Sequence, residues 1–245
     1  MAFTAPPTEP ADPTASGDRH AVFVTRADGT DARQLTAAVA GEYQGPIGWA
    51  PDSERLAYAT FSGDLVNGAL GVVDLSSGEA QIIATLPYIG APAWSPDGSR
   101  ILFQALAGAG EREYDLFVVD PQGQDLERLT DSPGFDIGAS WSPDGHSILF
   151  DSERSGRRAL WVMDRDGANQ RQLSDDPERD EMSGHWSPDG TRIAFVSTRG
   201  KSSQICVMNA DGSDVRTLAE GGPIWFWSPD GTLLAVYRRP AGAST

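Results

Sequence analysis

Chemistry in this chain would have to come from its three histidines, His20, His146 and His185, and from acids gathered in a few irregular stretches. His185 directly precedes Trp186 and is the one imidazole expected to approach a central channel. There, a metal ion held by carboxylates could assist a lyase or hydrolase reaction. The plainer reading of His185 is a packed, hydrogen-bonded residue. His146 sits just past a Pro-Asp-Gly turn and His20 opens a strand, so spacing brings neither to a partner. No HExxH, no Gly-x-Ser-x-Gly and no phosphate loop occurs. Turns of the type Asp164-Arg-Asp-Gly167 offer hard oxygen ligands for calcium, yet lack the distal acid of an EF-hand. Their recurrence along the chain reads as a structural device. The expectation is no catalytic residue and no resident cofactor, with calcium in the channel as the alternative.

Binding has more candidates. The stretches AAVAGEYQGP (37–46), DSPGFDIG (131–138) and DDPERDEMSG (175–184) carry Glu42, Tyr43, Phe135, Asp136, Glu178, Asp180 and Glu181. With His185 they form an acidic and aromatic set suited to a basic peptide or a cation, the alternative being a merely solvated acidic rim. Irregular connections are where a rigid scaffold carries binding.

Bulk properties narrow the partners. Against 19 basic residues stand 35 acidic ones, a net charge of −16, so the mean field repels phosphate backbones and anionic membranes. Nucleic acid and membrane insertion are therefore not expected, and a protein or peptide partner of a monomer is. No apolar run approaches the roughly 18 residues of a spanning helix. The lone Cys206 makes no intramolecular disulfide, compatible with the cytoplasm or with a periplasmic protein held by packing. Residues 1–19, rich in Pro, Ala and Thr, read as a flexible leader. The expected domain is 20–245.

These stretches are positioned by a repeat. Five times a Trp opens the phrase Trp-Ser/Ala-Pro-Asp: Trp49 to Asp52, Trp94 to Asp97, Trp141 to Asp144, Trp186 to Asp189 and Trp227 to Asp230, the tryptophans 45, 47, 45 and 41 residues apart. In the last four a Gly follows. Pro presets φ, Asp caps an N–H two residues on, and Gly takes the left-handed conformation, so the phrase closes a hairpin. Behind it come apolar runs such as RILF, SILF and RIAFV, apolar at consecutive positions, which calls for strands covered on both faces. A second turn, as in LFVVDPQG and LWVMDRDG, and a short strand such as RQLS end each unit.

Four short strands per unit of about 45 residues with a recurring Trp predict an all-β, five-bladed β-propeller of four-stranded antiparallel blades. Because the chain begins on third-and-fourth-strand phrases and ends on first-and-second ones, its N-terminal strands are expected to pair with its C-terminal strands in one composite blade. The Trp rings are expected to fill the wedges between blades.

The motifs WSPDG, RIAFVS, LWVMDRDG and RQLS resemble the repeat of TolB-like propellers, the group that includes the periplasmic TolB protein of the bacterial envelope. The resemblance runs from about residue 20 to the end. It implies a non-enzymatic scaffold that is periplasmic or extracytoplasmic, with the cytoplasm as the alternative. The same repeat occurs in noncatalytic propellers of prolyl-oligopeptidase-type and tricorn-type peptidases, so a propeller excised from a larger peptidase or receptor is a further alternative. The chain departs from TolB in showing five blades rather than six and no separate α/β domain ahead of them.

Overall fold

The computed structural model describes residues 2–5, 20–37, 42–62, 67–107, 113–221 and 225–236. All regular structure among them is β, and the chain divides into two compact units, residues 1–129 and 130–245.

In the first unit, β1 (Ala2–Ala5), β2 (Ala21–Val24) and β3 (Arg33–Gln34) form a three-stranded sheet. Two four-stranded antiparallel sheets follow: β4 (Glu42–Trp49), β5 (Arg55–Ser62), β6 (Gly68–Asp74) and β7 (Ala80–Leu86), then β8 (Gly90–Trp94), β9 (Ile101–Leu106), β10 (Tyr114–Val119) and β11 (Glu127–Arg128). The second unit repeats the scheme with β12 (Asp136–Trp141), β13 (Ser147–Ser152), β14 (Ala159–Asp164) and β15 (Arg171–Gln172), and with β16 (Asp180–Trp186), β17 (Arg192–Arg199), β18 (Ser202–Asn209) and β19 (Arg216–Glu220). A two-stranded sheet of β20 (Trp225–Trp227) and β21 (Leu234–Val236) ends it.

Consecutive apolar positions do bury both faces of the middle strands. In β5, Ala57 and Ala59 join a cluster with Leu70, Ile101 and Phe103, while Leu56 and Tyr58 face Val22 and Leu35. In β17, Ile193 and Phe195 pack with Leu149, Leu160 and Cys206, and Ala194 and Val196 pack with Ile205, Trp227 and Leu234. Each interface is thus a sheet laid on the next within its unit.

The tryptophan phrase fixes that stacking. Trp94 Nε1 donates to the Gly48 carbonyl of the preceding sheet at 3.1 Å, and Trp227 Nε1 donates to the His185 carbonyl at 3.3 Å. An arginine just beyond the preceding turn covers each ring, Arg55 over Trp94 at 4.7 Å and Arg192 over Trp227 at 5.2 Å. Trp49, by contrast, is 39% exposed, and Trp186 Nε1 has no hydrogen-bond partner among the described residues.

The N-terminal end carries a strand that the sequence reading did not expect. Ala2–Ala5, assigned to the leader, form β1, antiparallel to β2 with Ala2 opposite Val24; the rest of the leader lies outside the described residues. β2 is accordingly flanked by β1 and β3, and β21 pairs with β20, so six sheets are present among the described residues. The physical reason is local: β1 runs antiparallel beside a third-type strand, the place a second strand takes in a complete sheet such as β8 to β11. Phe3 and Thr4 are strand formers that a reading by Pro and Ala content passes over.

Candidate functional site

The expected binding residues divide between the units. Glu42 and Tyr43 begin β4 in the first, where Tyr43 is 36% exposed and its ring lies 5.2 Å from that of His20. Phe135, Asp136, Glu178, Asp180, Glu181 and His185 belong to the second. These six lie on or just before β12 and β16, whose sheets stack, with Asp180 opening β16 and His185 near its far end.

In the second unit the acids are not a free rim. Asp136 is 1% exposed and receives Arg154 Nη2 at 2.8 Å; the same guanidinium lies over the rings of Trp161 and Phe150 at 4.7 and 5.3 Å. This is a buried, stacked ion pair that locks the edge of its sheet. The second oxygen of Asp136 has no hydrogen-bond partner among the described residues. Glu178 pairs with Arg199 at 2.7 Å. Asp180 stands 3.8 Å from Arg157, and Phe135 lies 6.0 Å beneath the guanidinium of Arg158. The expectation of an open acidic surface overlooked these arginines, each of which reaches the acids only through the fold.

Glu181 is 6% exposed and its carboxyl is pushed above the ordinary range, first by burial and then by the charges of Asp175 and Asp176, against hydrogen bonds from Ser174 and the Asp176 amide. His185 is exposed by surface area, and the protein atoms that partly desolvate its ring hold its pKa below the usual value. Among the described residues no group of three or more His, Cys, Asp or Glu side chains is placed to hold a metal ion.

Two features were missed in the sequence. Asp151, on β13, is 4% exposed and accepts the Ser183 amide on both carboxylate oxygens at 3.0 and 2.9 Å. Ser183 holds φ +56°, in the irregular step where β16 slips register against β17 between Met182 and His185. Burial pushes the Asp151 carboxyl to about 7 in spite of the Ser183 and Gly184 amides and the Arg158 charge. The second feature is a cleft of about 460 Å³ between the loop 153–158 and the loop that leads into β16, lined by Arg157, Arg158, Arg179, Asp175, Asp176 and Glu181. A signal existed for it: ERSGRR and DDPERDE are the two most charged connections of this unit.

The repeated turns are occupied by their own hydrogen bonds. Asp189 accepts the Ser187 hydroxyl at 2.5 Å and the Thr191 amide at 3.1 Å, and Asp230 accepts Ser228 and Thr232 in the same way. The serine hydroxyl, then the threonine amide, hold both carboxyls at about 2. Asp97 and Asp144 repeat the bond to the preceding serine, while Asp52, which follows Ala50, turns to Arg55 at 2.8 Å. In the second turn type, Asp164 receives Asn169 and Asp166 receives the Ala168 amide.

Comparison with known proteins places this architecture. The family described as TolB beta propeller domain matches residues 11–182. TolB from Acinetobacter baumannii superposes with a TM-score of 0.69 at 24% identity, over 91% of this chain and 55% of that one. An oligogalacturonate lyase in complex with manganese gives 0.73 at 15% identity, over 89% and 68%. Dipeptidyl peptidase 4 from Porphyromonas gingivalis gives 0.67 at 12%, over 89% and 39%. This chain therefore spans about half the length of the Acinetobacter protein, and at these identities the structural likeness speaks for the fold. With the family match covering more than half of the sequence, the chain belongs to the TolB beta-propeller family.

Proposed function

We propose that the chain is a non-enzymatic propeller scaffold that binds a peptide or protein, as a monomer, at the bacterial cell envelope. The observation that carries this reading is the loop-walled cleft of the second unit, built from two strongly charged connections. Rigid stacked sheets below and charged, irregular loops above are the usual division of labour in a binding module. The envelope location follows the TolB name of the relatives. The test is affinity capture from an envelope extract with the wild-type chain and with a loop variant carrying Arg157→Glu and Glu178→Lys. Capture of one partner by the wild type and at least about a tenfold loss with the variant is expected; equal recovery by both removes the reading.

The finer architecture belongs to this proposal. In a five-bladed ring, β21 takes the second-strand place beside β2, the edge that β1 holds in the structure. The two strands are then alternatives for one row of backbone groups.

A second reading, a metal-assisted lyase or hydrolase using channel acids and His185, is favoured by the likeness to a lyase described with manganese. Manganese titration of the wild type and of His185→Ala separates it: binding that vanishes in the variant supports the enzyme, and no binding in either removes it. The chain as one module of a longer peptidase or receptor is compatible with the scaffold role.

A further inference from the structure

The cleft between the two charged loops has a chemistry opposite to the net charge of the protein. Three guanidinium groups, those of Arg157, Arg158 and Arg179, line a space of about 460 Å³, within the roughly 300–1,000 Å³ span of small-ligand sites. The Glu181 amide donates to the Arg158 carbonyl at 2.8 Å and so stitches one wall to the other.

The neighbouring acids leave the guanidinium donors largely unused. Arg179 Nε stands 3.6 Å from Asp176, and Arg157 Nη1 stands 3.8 Å from Asp180, both beyond hydrogen-bonding distance. Arg158 gives Nη2 to Glu153 at 3.2 Å, while its Nη1 meets the weakly accepting Met182 thioether at 3.9 Å. Arg179 Nη1 is buried and has no hydrogen-bond partner among the described residues. A buried guanidinium N–H without an acceptor is expensive to leave unmade. Glu181 cannot supply that acceptor freely, because Ser174 and the Asp176 amide already hold its carboxyl.

We propose that this cleft binds a ligand through its carboxylate groups, with Arg179 and Arg157 offering paired N–H donors and Arg158 forming the second wall. The planar fork of arginine matches the two oxygens of a carboxylate. Asp175 and Asp176 beside it disfavour a group that concentrates its charge on one centre, such as phosphate, whereas a dicarboxylic acid or acidic peptide spreads its charges over separate carboxylates that different guanidinium groups can meet. The net charge of −16 repels any anion at long range, so recognition rests on contact geometry. Two sources share this chemistry, a free dicarboxylic acid and an acidic peptide segment. The proposal rests on the loops being the binding face.

The experiment is calorimetric titration of the full chain, at one fixed ionic strength, with glutarate, with an amide-capped peptide of Asp and Glu, with inorganic phosphate and with a capped Lys/Arg peptide. Saturable binding of glutarate or of the acidic peptide is expected, the tighter of the two naming the source. Arg179→Lys, which keeps the charge and loses the fork, is expected to weaken it about tenfold, and Arg157→Gln, at a side chain 53% exposed and safe for folding, about threefold. Equal affinity for phosphate, affinity for the basic peptide alone, heats that do not saturate, or variants that bind like the wild type would each overturn the carboxylate site. A protein partner that survives these substitutions but is lost on reversing Glu178 would leave the scaffold reading standing without it.

Discussion

Asp151 is the residue whose charge is most at odds with its surroundings. Its carboxyl is raised by burial to about 7, so in the folded protein it stays protonated while the unfolded chain, at the ordinary value of 3.8, ionises. Below pH 3.8 the group contributes nothing; from there to about pH 7 native stability falls as pH rises, by roughly 4 kcal/mol once the window is crossed. Glu181, also raised, acts in the same sense. The turn acids Asp189 and Asp230, held at about 2, act in the opposite sense: their contribution is present above the ordinary value and is lost as pH falls toward 2. The expected outcome is that Asp151→Asn flattens the decline in thermal midpoint between pH 5 and pH 8, measured by circular dichroism on both proteins. A wild type that gains stability over that range would show that the Ser183 and Gly184 amides outweigh burial.

Neither Asp151 nor Asp136 could be assigned from the sequence, and the reason is the same. An acid in a strand reads as exposed unless its partner is known, and here the partners are a backbone amide 32 residues on for Asp151 and a guanidinium 18 residues on for Asp136. Asp136 was expected at a ligand-binding rim; its burial makes it part of the framework. The expected outcome for Arg154→Met is a loss of about 3 kcal/mol in urea denaturation, from stranding the Asp136 charge, with Asp136→Asn in the same background recovering part of it. No recovery would mean that the stacking of Arg154 on Trp161 and Phe150 carries the stability instead.

Elements were more legible than contacts, because the repeat states the turn chemistry in every copy. Pro-Asp-Gly and the second turn fall at hairpins, and Gly98, Gly123, Gly190 and Gly212 all adopt φ between +68° and +93°. What the pattern does not say is which turn also touches the neighbouring sheet. A Cβ on Gly123 would lie 2.9 Å from the Ile83 carbonyl oxygen, whereas Gly78, with φ +74°, has nothing within 4 Å. Both are in the first unit, so a paired experiment separates conformational cost from close approach. Gly78→Ala is expected to lose about 1 kcal/mol, the left-handed penalty alone. Gly123→Ala is expected to lose roughly 1–2 kcal/mol more in chemical denaturation, since backbone yields less readily than a side-chain tip. Equal losses would mean that the turn can move off β7 at no expense.

At the scale of the whole molecule the open matter is one edge of β2. β20 and β21 pair with each other as the first and second strands of the complete sheets do. Their outer faces are bare among the described residues, with Phe226 and Leu233 each 71% exposed, and apolar surface of that kind normally finds cover. The pattern did not reveal that β1 flanks β2, because a four-residue strand carries too little periodicity to be told from a linker. If β1 and β21 compete for the same backbone groups, either one alone suffices. Removing residues 1–5 is then expected to leave the β2 amides protected in hydrogen exchange, and Ala235→Pro, which deprives β21 of a donor and bends it, is expected to do the same. Only the two together should release β2, raising exchange about tenfold or more at Phe23, whose amide faces β1, while the Val22 amide, bonded to Thr36 and Gln44 on the other side, stays protected. Release by the deletion alone would assign the edge to β1 and end the five-bladed ring; protection that survives both changes would mean that neither strand is what guards it.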